Sequence, residues 1–382
     1  MGTRIRISIT ALSIALLAFG STIALADAKK SGLKKGKVEL ESAGPLAFGS
    51  GGVLFVADPI AAKIVAIATH DGYSKSGKTA AGAGKGLRVE AIDQKVAAAL
   101  GTKSQDIRIA DMAVNPGSGV VYLSVARGRA ADAPGVLVRV DRSGKIEAVD
   151  LDNVLHASAT LKAVPGKDAF TGRGRRKTRA RTQSITDIAY VDGRVLVAGM
   201  STEEFASTLR SVPYPFGESG QPTSIEIYHG AHGRFETRSP VRTFVSLDIG
   251  GKPHILAAYQ CTPLVSIPLS DLKPGAKVKG TTIAELGNRN RPLDMIVYRK
   301  DGAEYMLIAN NSRGIMKIKT VELEKDHNVA SKVSSGDSVG VPYETIKSWT
   351  GIHQLDRADD KNALVVRATD KGTFNLETLP LP

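Results

Sequence analysis

The sequence predicts an all-β chain folded as a β-propeller, on the strength of a repeated phrase, its spacing and the glycines that punctuate it. The phrase is a short apolar run, a Gly-containing turn, a second apolar run and a small polar exit. It spans Gly44 to Asp58, then Asp111 to Ser124, Asp187 to Gly199 and Asp294 to Asn310, with weaker copies from Phe244 to Ala258 and from Ile352 to Val366. Copies recur roughly every 50 to 75 residues, and a lone hairpin of this kind cannot bury both its apolar faces, so the copies have to stack as blades.

The elements follow in order. Arg4 and Arg6 flank the start of an apolar stretch from Ile7 to Phe19, and Ala24-Leu25-Ala26 supplies the small-x-small pattern of a signal-peptidase site, so residues 1–26 read as a signal peptide cleaved after Ala26. The apolar stretch is too short to span a bilayer comfortably, and the mature chain has no transmembrane segment by this reading. The mature protein is expected to be periplasmic or secreted. Residues 27–40 read as a flexible N-terminal tether, Lys/Gly-rich from Lys29 to Lys37, and residues 41–382 as a single propeller domain. Val53 to Ala57 and Lys63 to Ala68 make the first hairpin, and Tyr73 to Gly86 a loop. Val89, Ile92, Val96, Ala97 and Leu100 form a helical stripe closed by Gly101, a helix inserted between blades. Strands are expected at Gly135 to Val140 and Lys145 to Asp150. The long connection from Leu151 to Gln183 carries the basic run Arg173 to Arg181. Ser201 to Leu209 reads as a second short helix, with Ser201 or Thr202 as its cap and Glu203 and Glu204 in its first turn. Strands continue to Ala363–Ala368 and Gly372–Leu376.

Composition fits a folded exported domain. Hydrophobic residues make up 42% of the chain, whereas aromatics are 5% with Trp349 the only tryptophan, which disfavours an aromatic carbohydrate platform. The formal net charge is +13, of which Arg4 and Arg6 leave with the signal. A basic exported protein meets anionic envelope components or an acidic protein partner, not nucleic acid. Cys261 is the only cysteine, so no intrachain disulfide forms and the thiol is buried, metal-bound or paired with another chain.

Leu54 to Asp58 followed by Lys63 to Ile67 resembles a blade of the NHL and SMP-30 families, in which a Val-Ala-Asp exit precedes a basic or Gly residue and an Ile strand. Met306 to Ile318 repeats the pattern; these two blades match well and the rest loosely. The resemblance implies six blades, with seven the alternative, and ligand chemistry at the central channel. It also implies, for SMP-30-like members, a divalent cation held by Glu and Asn/Asp side chains. Glu41, ahead of Gly44-Pro45, resembles their first-strand Glu.

Three groups of residues carry candidate chemistry. Asp111, Asp187 and Asp294 open successive phrases and could ring one channel mouth, forming with Asn288, Asn290, Arg291 and Asn310 a polar funnel for a cation or a basic group. The plainer reading is that each Asp caps turn amides of its own blade. His229, His232, His254 and Cys261 offer imidazole and thiolate ligands suited to copper or zinc, whereas calcium would belong to the oxygen-rich funnel. Arg173, Arg175, Arg176, Lys177, Arg179 and Arg181 form an anion-binding loop. Gly72 to Thr79 matches the phosphate-loop expression, but glycines follow it where a helix is needed. Cys261-Thr262-Pro263 lacks the arginine of the sulfatase motif, Val265 standing in its place. No Ser-His-Asp arrangement is signalled. The chain therefore reads as an exported propeller that binds a ligand or protein at its channel mouth. The alternative is a metal-dependent enzyme, either an SMP-30-like hydrolase using the funnel or a copper- or zinc-dependent oxidoreductase using the His/Cys group. The intact mass of the product exported by a secretion-competent host is expected to match a chain beginning at Asp27; a product that keeps residues 1–26 would mean an uncleaved anchor.

Overall fold

A computed structural model describes residues 32–71, 86–130, 133–172, 174, 177–260, 262–287, 289–334 and 336–382. It is a six-bladed β-propeller. Numbered in chain order, the blades have innermost strands Leu46–Phe48, Ile107–Val114, Asp187–Val191, Val241–Ile249, Pro292–Lys300 and Ile352–Arg357. From each, the chain meanders outward through antiparallel strands. Strands packed between two blades are covered on both faces, which is why Val53–Asp58 is buried at every residue and reads as an unbroken apolar run. The hairpins that leave the inner strands of blades 3, 4 and 5 turn on Asp192-Gly193, Gly250-Gly251 and Asp301-Gly302, each pair at positive φ. Such two-residue turns match the right-handed twist of the strands they join.

The blades do not stand around the ring in chain order. Inner-strand neighbours place blade 2 between blades 1 and 6, and blade 3 on the other side of blade 1, followed by blades 4, 5 and 6. Six apolar clusters fill the six seams and give the same order. Phe55 and Ile64 of blade 1 pack on Ile188 and Val197 of blade 3, and Leu123 of blade 2 packs on Leu364 and Val366 of blade 6. The chain therefore runs from blade 1 to blade 2 and doubles back past blade 1 to reach blade 3. On its way back Val154–Thr160 pairs with Lys63–Ala68 as the fourth strand of blade 1. Other blades borrow strands as well: Arg88–Val89 joins blade 6, Lys277–Lys279 runs parallel to Thr223–His229 of blade 3, and Ser338–Gly340 joins blade 4.

Three local expectations are corrected. Lys34–Gly36, read as part of a tether, is a strand that pairs with Val154–Thr160 at the outer edge of blade 1, with lysines facing solvent as edge strands commonly have. The helix between blades spans Ile92–Ala99 only, because Arg88–Val89 is drawn into blade 6; it ends at Gly101 in the left-handed region, and Ile92 and Val96 pack in the seam between blades 2 and 6. Ser201 to Leu209 is not a helix. Ser201 Oγ accepts the Glu203 amide in a turn, and Ser207–Pro213 continues as a strand along Arg194–Met200, burying Leu209 and Val212. Tertiary pairing overrides the capping signal there.

The seam between blades 1 and 2 is tight enough to require glycine. A Cβ on Gly135 would lie 2.1 Å from the Ala43 nitrogen and 2.4 Å from the Ser42 carbonyl carbon, both backbone. Gly135→Ala is expected to cost about 1–3 kcal/mol in denaturant unfolding, whereas Gly166→Ala, whose Cβ meets nothing within 4 Å, is expected to leave stability nearly unchanged.

Candidate functional site at the channel

All six inner strands run the same way, so their N-terminal ends meet at one mouth of the central channel and their C-terminal ends at the other. Four of them slip register by one residue near the start: between Ile109 and Asp111, Val241 and Thr243, Pro292 and Asp294, and Ile352 and Gln354. The extra residues are Ala110, Arg242, Leu293 and His353, and all four line a cavity of about 510 Å³ at the N-terminal mouth. Bulges re-aim side chains next to a site, and here they deliver a guanidinium and an imidazole to the channel.

At the channel waist the aspartates form a set of staples. Asp187 Oδ1 accepts the amide of Ile188 and Oδ2 that of Phe244 in blade 4, both at 2.8 Å. Asp294 does the same with Met295 at 2.8 Å and Leu355 of blade 6 at 2.7 Å. Asp111 Oδ2 accepts the Leu46 amide of blade 1 at 2.7 Å. Asp356, which sequence reasoning missed, joins Arg357 to Val114 of blade 2, both at 2.7 Å. Each carboxylate thus reaches across a seam, not merely within its own blade as the plainer reading had it. Burial pushes Asp187 up to about 7 and Asp356 up to about 6. Asp111 and Asp294 stand well above the usual carboxylate range through burial and the neighbouring aspartate charges.

The N-terminal mouth is cationic. Arg108, Arg129, Arg242 and His353 line it, together with Thr178, Thr182 and Gln183. Arg242 Nε is buried without a hydrogen-bond partner, as is Thr186 Oγ1 in the same cavity. Burial and the nearby Arg291 charge lower the pKa of Arg242, and burial followed by Arg291 lowers that of His353. The connection after blade 1 forms a small hairpin, Phe170–Thr171 with Thr178–Arg179, whose second strand borders this mouth. Lys177 Nζ sits 4.3 Å from the centre of the Phe170 ring, and Arg181 is tied to the carbonyls of Ile60 and Pro165 at 3.0 and 2.9 Å. Arg173, Arg175 and Arg176 lie outside the described residues. The opposite mouth, a cavity of about 540 Å³, is lined instead by Phe48, Tyr190, Asp356, Asp359 and Asp360.

The remaining sequence candidates separate. Asn290 and Asn310 are buried and bond each other at 3.1 Å, and neither borders the channel cavities. Arg291 is exposed beside the N-terminal mouth; Asn288 and the Gly72–Thr79 stretch fall outside the described residues. Glu41 is exposed, contacts Lys167 and borders neither cavity. His229 and His232 do come together, with Glu236 as the third group, whereas His254 lies at the far end of Lys252–Tyr259 with Nδ1 on the Lys252 carbonyl. Cys261 is outside the described residues. Arg108, Arg129, Arg242 and His353 carried no periodic signal that could have selected them.

No family model matches the chain, and no curated protein matches it. Among solved structures it is similar to the PQQ-bound aldose sugar dehydrogenase of Streptomyces coelicolor, at 12% identity and TM-score 0.33 over 90% of this chain and 96% of that one. It is also similar to a putative glucose dehydrogenase of Thermus thermophilus, at 14% identity and TM-score 0.37 over 91% and 100%. A third is the extracellular domain of a putative one-component system from B. thetaiotaomicron, at 11% identity and TM-score 0.34, where the match takes 90% of this chain but 39% of that one. At these values the reading of function rests on the chain's own geometry.

The raised aspartates give a signed pH dependence. An unfolded Asp releases its proton near pH 4, whereas the folded groups hold theirs to higher pH, so between those limits the folded state binds more protons and stability falls as pH rises. Glu285, raised by burial, acts in the same direction, whereas His353 and His156, both lowered chiefly by burial, act against it around the ordinary histidine range and leave the aspartates to set the net sign. Glu236, held at about 2, titrates below this window. The melting temperature is therefore expected to drop by several degrees from about pH 5 to about pH 8, and Asp187→Asn to flatten that slope although it lowers stability overall.

Proposed function

We propose that this protein is an exported binding module whose N-terminal channel mouth takes a small anionic ligand bearing carboxylate or phosphate groups. The observation that carries this reading is Arg242, a guanidinium set by a bulge into a 510 Å³ cavity with its buried Nε unpartnered. A buried donor left without an acceptor costs free energy that an anionic ligand would recover, through a charge-assisted bond stronger than a neutral one. Arg108 and Arg129 converge on the same cavity, and the basic hairpin beside it would steer anions toward the opening. The signal-peptide reading of residues 1–26 supports export, where anionic envelope components are the ligands at hand.

The cation-binding alternative draws less support. Asp187, Asp294 and Asp356 each spend both carboxylate oxygens on backbone amides, which leaves fewer lone pairs free to hold an ion. Glu41, the residue that resembles the SMP-30 first-strand ligand, faces Lys167 instead.

Titration calorimetry of the mature protein with citrate and with inorganic phosphate at low salt is expected to show saturable binding that weakens as salt is raised. Arg242→Ala is expected to lose at least about tenfold in affinity, equivalent to 1.4 kcal/mol, whereas Lys177→Ala, at the rim, should alter mainly the salt dependence. Absence of binding for both anions, or an Arg242→Ala variant that binds as the parent does, would reject the reading.

A further inference from the structure

Away from the channel, the outermost hairpin of blade 3 gathers three metal-binding side chains. Thr223–His229 pairs with Arg234–Glu236, and Ile227 stands opposite Glu236, so His229, two residues from Ile227, shares a face with Glu236. Between them the chain closes one tight turn, the amides of His232 and Gly233 returning to the His229 carbonyl at 3.1 and 2.8 Å. That turn lays His232 beside His229 with ring centres 3.8 Å apart. Both Nδ1 atoms then face one carboxylate: His229 Nδ1 is 2.9 Å from Glu236 Oε2, and His232 Nδ1 is 2.6 Å from Glu236 Oε1. One ligand atom from each of the three residues lies within 4.8 Å of the others.

We propose that His229, His232 and Glu236 form a site for one late first-row divalent cation, zinc by donor type. Two imidazole nitrogens and a carboxylate oxygen are the three protein ligands of an open tetrahedral zinc site, whereas calcium and magnesium call for oxygen-rich sets. Ligand atoms around a tetrahedral zinc stand about 3.3–3.5 Å apart, given metal–ligand bonds near 2.0–2.1 Å. The present spacings must open slightly. His229 is fixed by burial, but His232 has a 47% exposed side chain on the turn and can rotate, which also gives the ion its entry path.

The surroundings suit the charge. Glu285 lies directly beneath the turn, its Oε1 accepting the Ala231 amide at 3.3 Å and its Oε2 the Thr262 hydroxyl at 2.9 Å. Two carboxylates, one a ligand and one behind the turn, thus face a doubly charged ion. Arg234 Nε, 3.3 Å from Glu236 Oε1, competes for that oxygen, but its side chain is 71% exposed and free to swing into solvent. The turn is held to blade 4 through Glu285 of Thr281–Leu286, and to the excursion between the third and fourth strands of blade 5 by the Val333 amide on the Gly230 carbonyl at 3.0 Å. A bound ion would therefore fasten the rim of blade 3 to blade 4 and stabilise the folded chain by mass action.

The test uses the mature chain stripped with a chelator and titrated with zinc at neutral pH, read by calorimetry and by thermal unfolding. About one zinc per chain, with Kd in the micromolar range or tighter and a higher melting temperature, is expected. His232→Ala, at an exposed position, and Glu236→Gln are each expected to weaken binding at least about tenfold, and His254→Ala to leave it unchanged. Cobalt in place of zinc should give visible bands of a four-coordinate site without a thiolate transition. No zinc binding below about 100 µM, binding indifferent to both site variants, loss on His254→Ala, or a thiolate band would each overturn the assignment. None of these readouts depends on the anion site.

Discussion

The inner edge of every blade is a strand edge facing the channel, and its unpaired amides have no neighbouring strand to bond. Left alone, such an edge is a costly row of unsatisfied donors. Four aspartates answer this at the waist, taking amides from the next blade and thereby sewing blade 2 to 1, 6 to 2, 5 to 6 and 3 to 4. The other two seams carry no aspartate staple among the described residues and rest on packing, joined between blades 1 and 3 by the Ser184 hydroxyl donating to the Pro59 carbonyl at 2.7 Å. Phe55 stacks on Tyr190 and meets Tyr214 edge-on between blades 1 and 3, while Met295, Met306 and Met316 fill the seam between blades 4 and 5. The ring thus depends on carboxylates that serve as acceptors first and charges second.

That solution has an electrostatic cost, because several carboxylates are concentrated in one desolvated waist. Burial raises the pKa of Asp187, and the Arg242 charge beside it offsets part of that rise. The same arrangement divides the channel by charge. Guanidinium groups crowd the N-terminal side, while Asp356, Asp359 and Asp360 stand at the C-terminal side. Under the proposed reading, an anion meeting the cationic side would be drawn in by the field and would stop at the aspartate waist, so the structural staples also form the floor of the candidate site.

What was legible in the sequence was whatever repeated. The hairpin phrase showed the blades, and Asp111, Asp187 and Asp294 were visible because they occupy the same place in three copies. Asp356 escaped because Gln354 holds the corresponding register position in blade 6 and the carboxylate sits two residues later. Arg242 and His353 were invisible for a related reason: a bulge residue breaks the alternation that makes a strand readable, and nothing in Val241-Arg242-Thr243 marks the slip. His229 and His232 announced themselves by spacing. Glu236 did not, since only the hairpin register brings it onto their face. His254 is near them in sequence, but it lies three residues into Lys252–Tyr259 with its Nδ1 on the Lys252 carbonyl and is not part of the group.

Blade order was the least legible property, because local patterning specifies hairpins and not which hairpins become neighbours. Yet the order bears on function. Val154–Thr160 runs beside Lys63–Ala68 with Thr160 opposite Lys63, so the chain leaves blade 1 on the side where Ser42 to Pro45 and Pro59 border the N-terminal mouth. It must then reach Asp187, at the start of the blade 3 inner strand, on the same side. In a ring ordered as the chain is, the step from blade 2 to blade 3 could be short. Here the path crosses blade 1, and the extra length is the segment that forms the basic hairpin, with Arg181 anchored on Ile60 and Ser184 on Pro59. The doubling-back of the chain is what lays a cationic rim across a mouth already lined by Arg108, Arg129 and Arg242.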